Sequence, residues 1–178
     1  MQSVMISIQP VWVEKILSRE KTVEVRKSKP RLEVPFKCYV YCTQADRNFD
    51  IEKNSDVVRY QRHCKRKGKV VAEFLCDRID FIANLATDKW ELLQGNVHEQ
   101  HKRLISGNAC LTEEQCISYG GKYAWHISDL VVYNEPRELR EFYVERVTTT
   151  DSPQLTKLNR PPQSWCYVES ANTGGAIN

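Results

Sequence analysis

No stretch of this 178-residue chain approaches the ~18 consecutive apolar residues of a membrane-spanning helix. The first nine residues are too few and too polar for a secretory signal, and residues 15–27 are crowded with charge. A cytoplasmic address with no membrane partner is the expectation. The chain also lacks a paired Cys-x-x-Cys knuckle. Of its seven cysteines, Cys38 and Cys42 lie four apart, Cys110 and Cys116 lie six apart, and Cys64 adjoins His63. Those spacings do not build a zinc knuckle. An odd number of cysteines without a secretory signal also argues against a disulfide framework. Buried free thiols fit better, and neither a metal nor another cofactor is expected. Internal repeats and low-complexity segments are missing as well. The formal charge is only +3, which permits a polyanionic partner without demanding one.

What is present is an ordinary globular composition, 41% hydrophobic and 28% charged. The length suits one domain, or one domain with an insertion, and is enough to bury a real core. Residues 4–8, VMISI, read as a first strand. Pro10 suits a helix start. Trp12, Val13, Ile16 and Leu17 then form an apolar stripe at helical spacing over about two turns. Residues 36–43, FKCYVYCT, are apolar on both faces, as in a central strand covered twice. Residues 69–82, KVVAEFLCDRIDFI, are the longest strand candidate.

Residues 83–107 look partly helical, and Thr112 with Gln115 opens a short helix with a capping box. Residues 122–133, KYAWHISDLVVY, alternate as a strand with a phase slip near Ser128 and Asp129 that suggests a bulge. Pro136 is expected to end that strand, with Leu139 and Phe142 tucked into the turn beyond it. Residues 147–159 are Thr-rich and linker-like, residues 164–169 form a last short strand, and the tail is expected to fray. The count of about six strands and three or four helices predicts an α+β fold on a small curved sheet or barrel.

The stretch with the most chemistry is 20–26, EKTVEVR. As a strand it turns Val23 and Val25 one way and Thr22, Glu24 and Arg26 the other, with Lys21 leading in. An exposed face with a surface ion pair explains this pattern, and so does a polar groove. Glu73 falls between the apolar Val71 and Leu75 on another strand. Burying it requires a partner; Lys21 and Arg26 are its natural partners, and a solvent-facing rim is the alternative. Arg59, Arg62, Lys65, Arg66, Lys67 and Lys69 crowd into eleven residues, with Tyr60 and His63 interleaved. Such a run is either a solvated face or a patch tracking phosphates, with Tyr60 free to stack on a base. His126 faces away from Trp125 and is read as structural.

Lys21, Glu24 and Arg26 resemble the motif of the ASCH domain, a branch of the PUA-like superfamily, whose signature is approximately Gly-x-Lys-x-x-Glu-x-Arg after a first strand and helix. Arg19 stands where the signature has glycine. The segment YAWHISDLVVYNEPREL resembles the family's closing strand and the segment after it. The match covers about residues 5–142. The resemblance implies a PUA-like β-barrel of five or six strands with helices at its mouth, spanning residues 1–145 with a basic insertion at about 46–67. Residues 146–178 would be a C-terminal extension.

The resemblance also implies an RNA, nucleoside or nucleotide ligand in a cleft holding Lys21, Thr22, Glu24, Arg26 and Glu73. The basic run 59–69 would then contact phosphates. One enzymatic branch hydrolyses N4-acetylcytidine with a Lys-Thr-aliphatic-Thr-aliphatic-Arg motif and a later strand glutamate. Lys21, Thr22, Arg26 and Glu73 match those positions, and Glu24 replaces the second threonine. A carboxylate does not substitute for an alkoxide nucleophile, but it can act as a base on water. The expected function is therefore either an RNA- or nucleotide-binding module, or a hydrolase or ribonuclease with Lys21, Glu24 and Glu73 catalytic.

Overall fold

The run SVMISI forms strand β1 (Ser3–Ile8), and all six of its residues are buried. It is followed by helix α1 (Pro10–Leu17), β2 (Val23–Arg26), β3 (Phe36–Cys42), β4 (Val70–Ile82) and β5 (Lys122–Arg137). A 3-10 turn (Leu139–Glu141) then leads to β6 (Phe142–Arg146), β7 (Gln154–Lys157) and β8 (Trp165–Ser170). The structure is a computed structural model, and it describes residues 2–44, 66–82, 108–111, 122–146 and 154–170. The helices expected at 83–107 and 112–118 lie outside the described residues.

The strands hydrogen-bond in the order β2-β5-β4-β3-β1-β8-β6-β7. β1 runs parallel to β3 and antiparallel to β8, so the sheet is mixed. Among the described residues the chain is therefore mostly β, with eight strands in one sheet and one short α-helix. The expected α+β barrel of five or six strands is corrected on strand number, and closure into a barrel is not detected.

The additional strands are β6 and β7. β7 occupies part of the segment expected to be a linker. Its residues are mostly exposed, so no apolar alternation marks it, and its pairing with β6 makes it a strand. β5 continues through Pro136 instead of stopping there. Proline withholds one donor, and a strand tolerates it where no ladder bond is required. At the expected phase slip, Asp129 takes a left-handed φ of 45°.

Two compact units make up the chain, one of residues 1–13, 37–74 and 131–178, the other of residues 14–36 and 75–130. In the first, β1 is flanked by β3, with Val4 opposite Cys38 and Ile8 opposite Cys42, and by β8, with Ser3 opposite Val168. Its core holds Met5, Tyr39, Tyr41, Val70, Leu139, Phe142, Leu158 and Val168. The rings of Tyr39 and Phe142 meet edge-on at 4.8 Å. Leu139 and Phe142 are buried as expected from the turn that carries them.

In the second unit, β2 pairs antiparallel with β5, placing Val23 opposite His126, Glu24 opposite Trp125, Val25 opposite Ala124 and Arg26 opposite Tyr123. One face of this pair packs Val23 and Ala124 with Ile82, Ala109 and Leu111, and Val25 leans on them. The alternation read from 20–26 is thus realised, though the strand itself begins only at Val23. Its other face carries Glu24 and Arg26.

Candidate functional site

The site is built by the turn at the end of α1. Arg19 donates its backbone N–H to Ile16 O at 2.9 Å, and Lys21 donates its own to Lys15 O at 2.8 Å, closing the helix end. To make this turn Arg19 takes a φ of 64°, where a side chain is disfavoured by about 1–2 kcal/mol. That explains the glycine of the resembled signature at this position. Arg19 keeps the turn at an energetic cost, offset in part by a long contact of 3.4 Å from its Nη2 to Leu130 O. Replacing Arg19 with glycine should raise the free energy of unfolding by about 1 kcal/mol. Urea denaturation measures it; a loss of stability would mean that the Leu130 contact outweighs the backbone strain.

The turn delivers Lys21 to the interior. Its side chain is 4% exposed, and Nζ donates to Ala109 O at 2.7 Å. Nζ also lies 3.3 Å from Glu24 Oε2, while Arg26 Nη2 lies 3.2 Å from Glu24 Oε1. The Glu24 and Arg26 side chains are 10% and 15% exposed. One carboxylate is therefore clasped by a cation on each oxygen, in a largely desolvated place. Thr22 is exposed and contributes its backbone, donating to Asn108 O at 2.8 Å and accepting from Ile127 N at 2.9 Å. Those bonds pin the lead-in to β2 against both neighbouring segments.

On the same face of β5 stand Trp125 and Tyr123, directly across from Glu24 and Arg26. Trp125 is fully buried, its ring in a T-shaped contact with Phe36 with centres 5.9 Å apart. His126 points to the opposite face, where Nε2 lies 2.8 Å from Asp80 Oδ2 and Arg78 Nη2 approaches the ring. This network is partly exposed.

Glu73 belongs to the other unit, and its partners differ from those expected. Lys37 Nζ donates to its Oε1 at 2.7 Å and Tyr133 Oη donates to its Oε2 at 2.6 Å. Burial alone would raise the Glu73 pKa, but the bonds from Lys37 and Tyr133 prevail and hold it below the usual range. The bond to Glu73 raises the Lys37 pKa. Burial, and then the same carboxylate, push the Tyr133 phenol well up. The Arg137 guanidinium lies 4.5 Å from the centre of the Phe142 ring and donates to Glu141 at 3.0 Å. Sequence reasoning misses Lys37 and Tyr133. The usable signal is Lys37 as the single charge in the otherwise apolar FKCYVYC.

The basic run divides. Arg59, Arg62 and Lys65 lie outside the described residues, as do Tyr60 and His63. Arg66, Lys67 and Lys69 are half-buried in a turn completed by Gly68, whose φ is 79°. Lys69 Nζ pairs with Glu138. The cysteines Cys38, Cys42, Cys76, Cys110 and Cys166 are free thiols. Burial lifts Cys76 to about 12 and Cys166 to about 11, which makes both poor nucleophiles at neutral pH. Among the described residues no group of three His, Cys, Asp or Glu side chains is placed to hold a metal, and no helix is long and apolar enough to cross a membrane.

No protein-family model matches the sequence, and no curated protein matches it significantly. Solved structures do. The crystal structure of ASCH from Zymomonas mobilis is similar over 94% of this chain and 87% of its own, with a TM-score of 0.54 and 18% identity. A serine-to-alanine mutant of that protein gives a TM-score of 0.53 at 17% identity, covering 94% of this chain and 88% of its own. At such identity the likeness is one of fold, and it agrees with the Lys21, Glu24 and Arg26 signature: this chain has the fold of an ASCH domain.

Proposed function

We propose that the protein is a binding module for RNA or a nucleotide, with Lys21, Glu24 and Arg26 as its recognition cluster. The observation that carries this reading is the clasp itself: two cations around one carboxylate in a nearly desolvated place. A phosphate or a polarised base edge complements the two cations. Arg26 has the planar fork that suits either, and Glu24 is an acceptor for an exocyclic amine of the kind cytosine presents. The ASCH fold supports the same ligand class. The basic run 59–69, including Arg66, Lys67 and Lys69, is the proposed source of sequence-independent phosphate contacts.

The hydrolase alternative, with Lys21, Glu24 and Glu73 catalytic, requires Glu73 to release Lys37 or Tyr133 before it can engage a reacting water. Binding needs only Lys21, Glu24 and Arg26, which meet in one cluster, whereas Glu73 is held by other partners; for that reason binding is preferred.

Filter binding of several short single-stranded RNAs over a salt series tests the proposal. Glu24→Gln should change which base is preferred and leave the salt slope alone, because base-edge contacts release few counterions. Changing Arg62, Lys65 and Arg66 together to Ala should weaken all RNAs alike and lower the slope by about 0.7 for each phosphate no longer neutralised. A wild-type protein that retains no RNA, or variants with unaltered preference and slope, would sink the reading.

A further inference from the structure

Three adjacent strands, β2, β5 and β4, set Arg26, Tyr123 and Phe81 in one row. Arg26 sits directly opposite Tyr123, and the Tyr123 and Phe81 ring centres are 5.5 Å apart with planes at 60°. Strand alternation explains why Phe81 points outward while Ile82 is buried in the core of the same unit. It does not explain why the outward residue is phenylalanine, 57% exposed. Single exposed apolar residues are ordinary, but Phe81 is half of a ring pair whose other member, Tyr123, is half-buried with a cation beside it. Lys29 Nζ lies 5.8 Å from the centre of the Tyr123 ring. Lys27 and Lys29 are exposed and, among the described residues, form no salt bridge. The Lys122 ammonium is disfavoured first by burial and then by the nearby charge of Lys27.

We infer that Phe81 and Tyr123 form a stacking platform for a base of single-stranded RNA, beside the recognition cluster of Glu24 and Arg26, with Lys27, Lys29 and Lys122 contacting the adjoining phosphates. The inference rests on the binding reading above and narrows it. The row spans about 10 Å across the strands. A free nucleoside held at Glu24 leaves the platform empty, whereas an oligonucleotide covers both. Every base has a π-face, so the platform adds affinity without sequence preference, and selectivity stays with Glu24 and Arg26.

Fluorescence polarisation with end-labelled hexauridine and hexaadenosine tests it. Phe81→Ala should weaken both RNAs about 5- to 150-fold at an unchanged salt slope, and Phe81→Trp should retain the affinity. Lys29→Ala should lower the slope by about 0.7. Phe81 is exposed, so the variants should keep the wild-type unfolding midpoint. If Phe81→Ala binds as tightly as wild type, or if Phe81→Trp loses as much as Phe81→Ala, the platform is refuted. The cluster reading then still stands, provided that Glu24→Gln alters base preference. A wild-type protein that binds neither RNA overturns both.

Discussion

Replacing Glu24 with alanine is expected to destabilise the protein by about 3–5 kcal/mol. Its carboxylate is the shared counter-charge of Lys21, 3.3 Å away, and Arg26, 3.2 Å away. Neither cation reaches bulk water easily, with side chains 4% and 15% exposed. Deleting the carboxylate removes the counter-charge that the two cations share in a desolvated place, and the Ala109 carbonyl bonded to Lys21 carries no full charge to replace it. Glu24→Gln keeps the shape and an acceptor, so its loss should be smaller, about 1–3 kcal/mol. Urea unfolding followed by circular dichroism reads both. A loss below about 1 kcal/mol for the alanine variant would place the cluster with exposed surface pairs and remove the main support for a ligand site here.

The same logic separates stability from function at this site. A buried ionic cluster stabilises a fold no better than apolar residues of matching volume, because desolvating the charges offsets most of their attraction. The opposite face of β2 shows the apolar solution at work, with Val23 fully buried and Val25 leaning on the same core. Stability alone is therefore a weak rationale for the cluster, and the binding role proposed above supplies another. What holds the cluster in place is ordinary secondary structure. The left-handed turn at Arg19, the Thr22 backbone bonds and the β2–β5 register fix all three side chains before any ligand arrives. Such preorganisation limits the ordering entropy of binding.

How far the sequence reveals this depends on the range of the interaction. Lys21, Glu24 and Arg26 are legible because one strand and its lead-in carry them, and strand phase plus the family signature suffice. β1 is legible from its alternation and β3 as a run apolar on both faces, β1 being buried throughout and β3 at every residue but Lys37. The irregularity at Asp129 shows as a break in alternation. The partners of Glu73 are not legible in the same way. Lys37 is 36 residues away and Tyr133 is 60. They meet Glu73 because β3 and β5 flank β4, and strand order is set by long-range packing that no local period encodes. Arg26 is the more obvious partner from the motif, but Lys37 sits on the adjacent strand. β7 is illegible for a different reason: an exposed edge strand has no buried face to impose alternation on its residues.

Trp125→Ala should cost about 3–5 kcal/mol, comparable with the loss expected at Glu24 but arising from packing. Among the described residues Trp125 is the largest fully buried side chain, and its ring meets that of Phe36 at 84° between planes. Removing the indole deletes apolar contact and leaves a cavity that the surrounding strands fill only in part. Its place in the register raises the stakes for the site. Trp125 stands opposite Glu24, so it walls the carboxylate from water and strengthens the attraction to Lys21 and Arg26. It also anchors β5, where a slip by one residue would turn Tyr123 away from Arg26 and bring Ala124 in its place. Trp125→Phe keeps an aromatic wall and should recover most of the lost stability. Urea unfolding monitored by far-ultraviolet circular dichroism checks the series. The electrostatic part of the claim is checked by a double-mutant cycle: Glu24→Ala should be less damaging in the Trp125→Ala background, where water already reaches the cations. Strict additivity of the two losses would show that Trp125 packs without shielding the cluster.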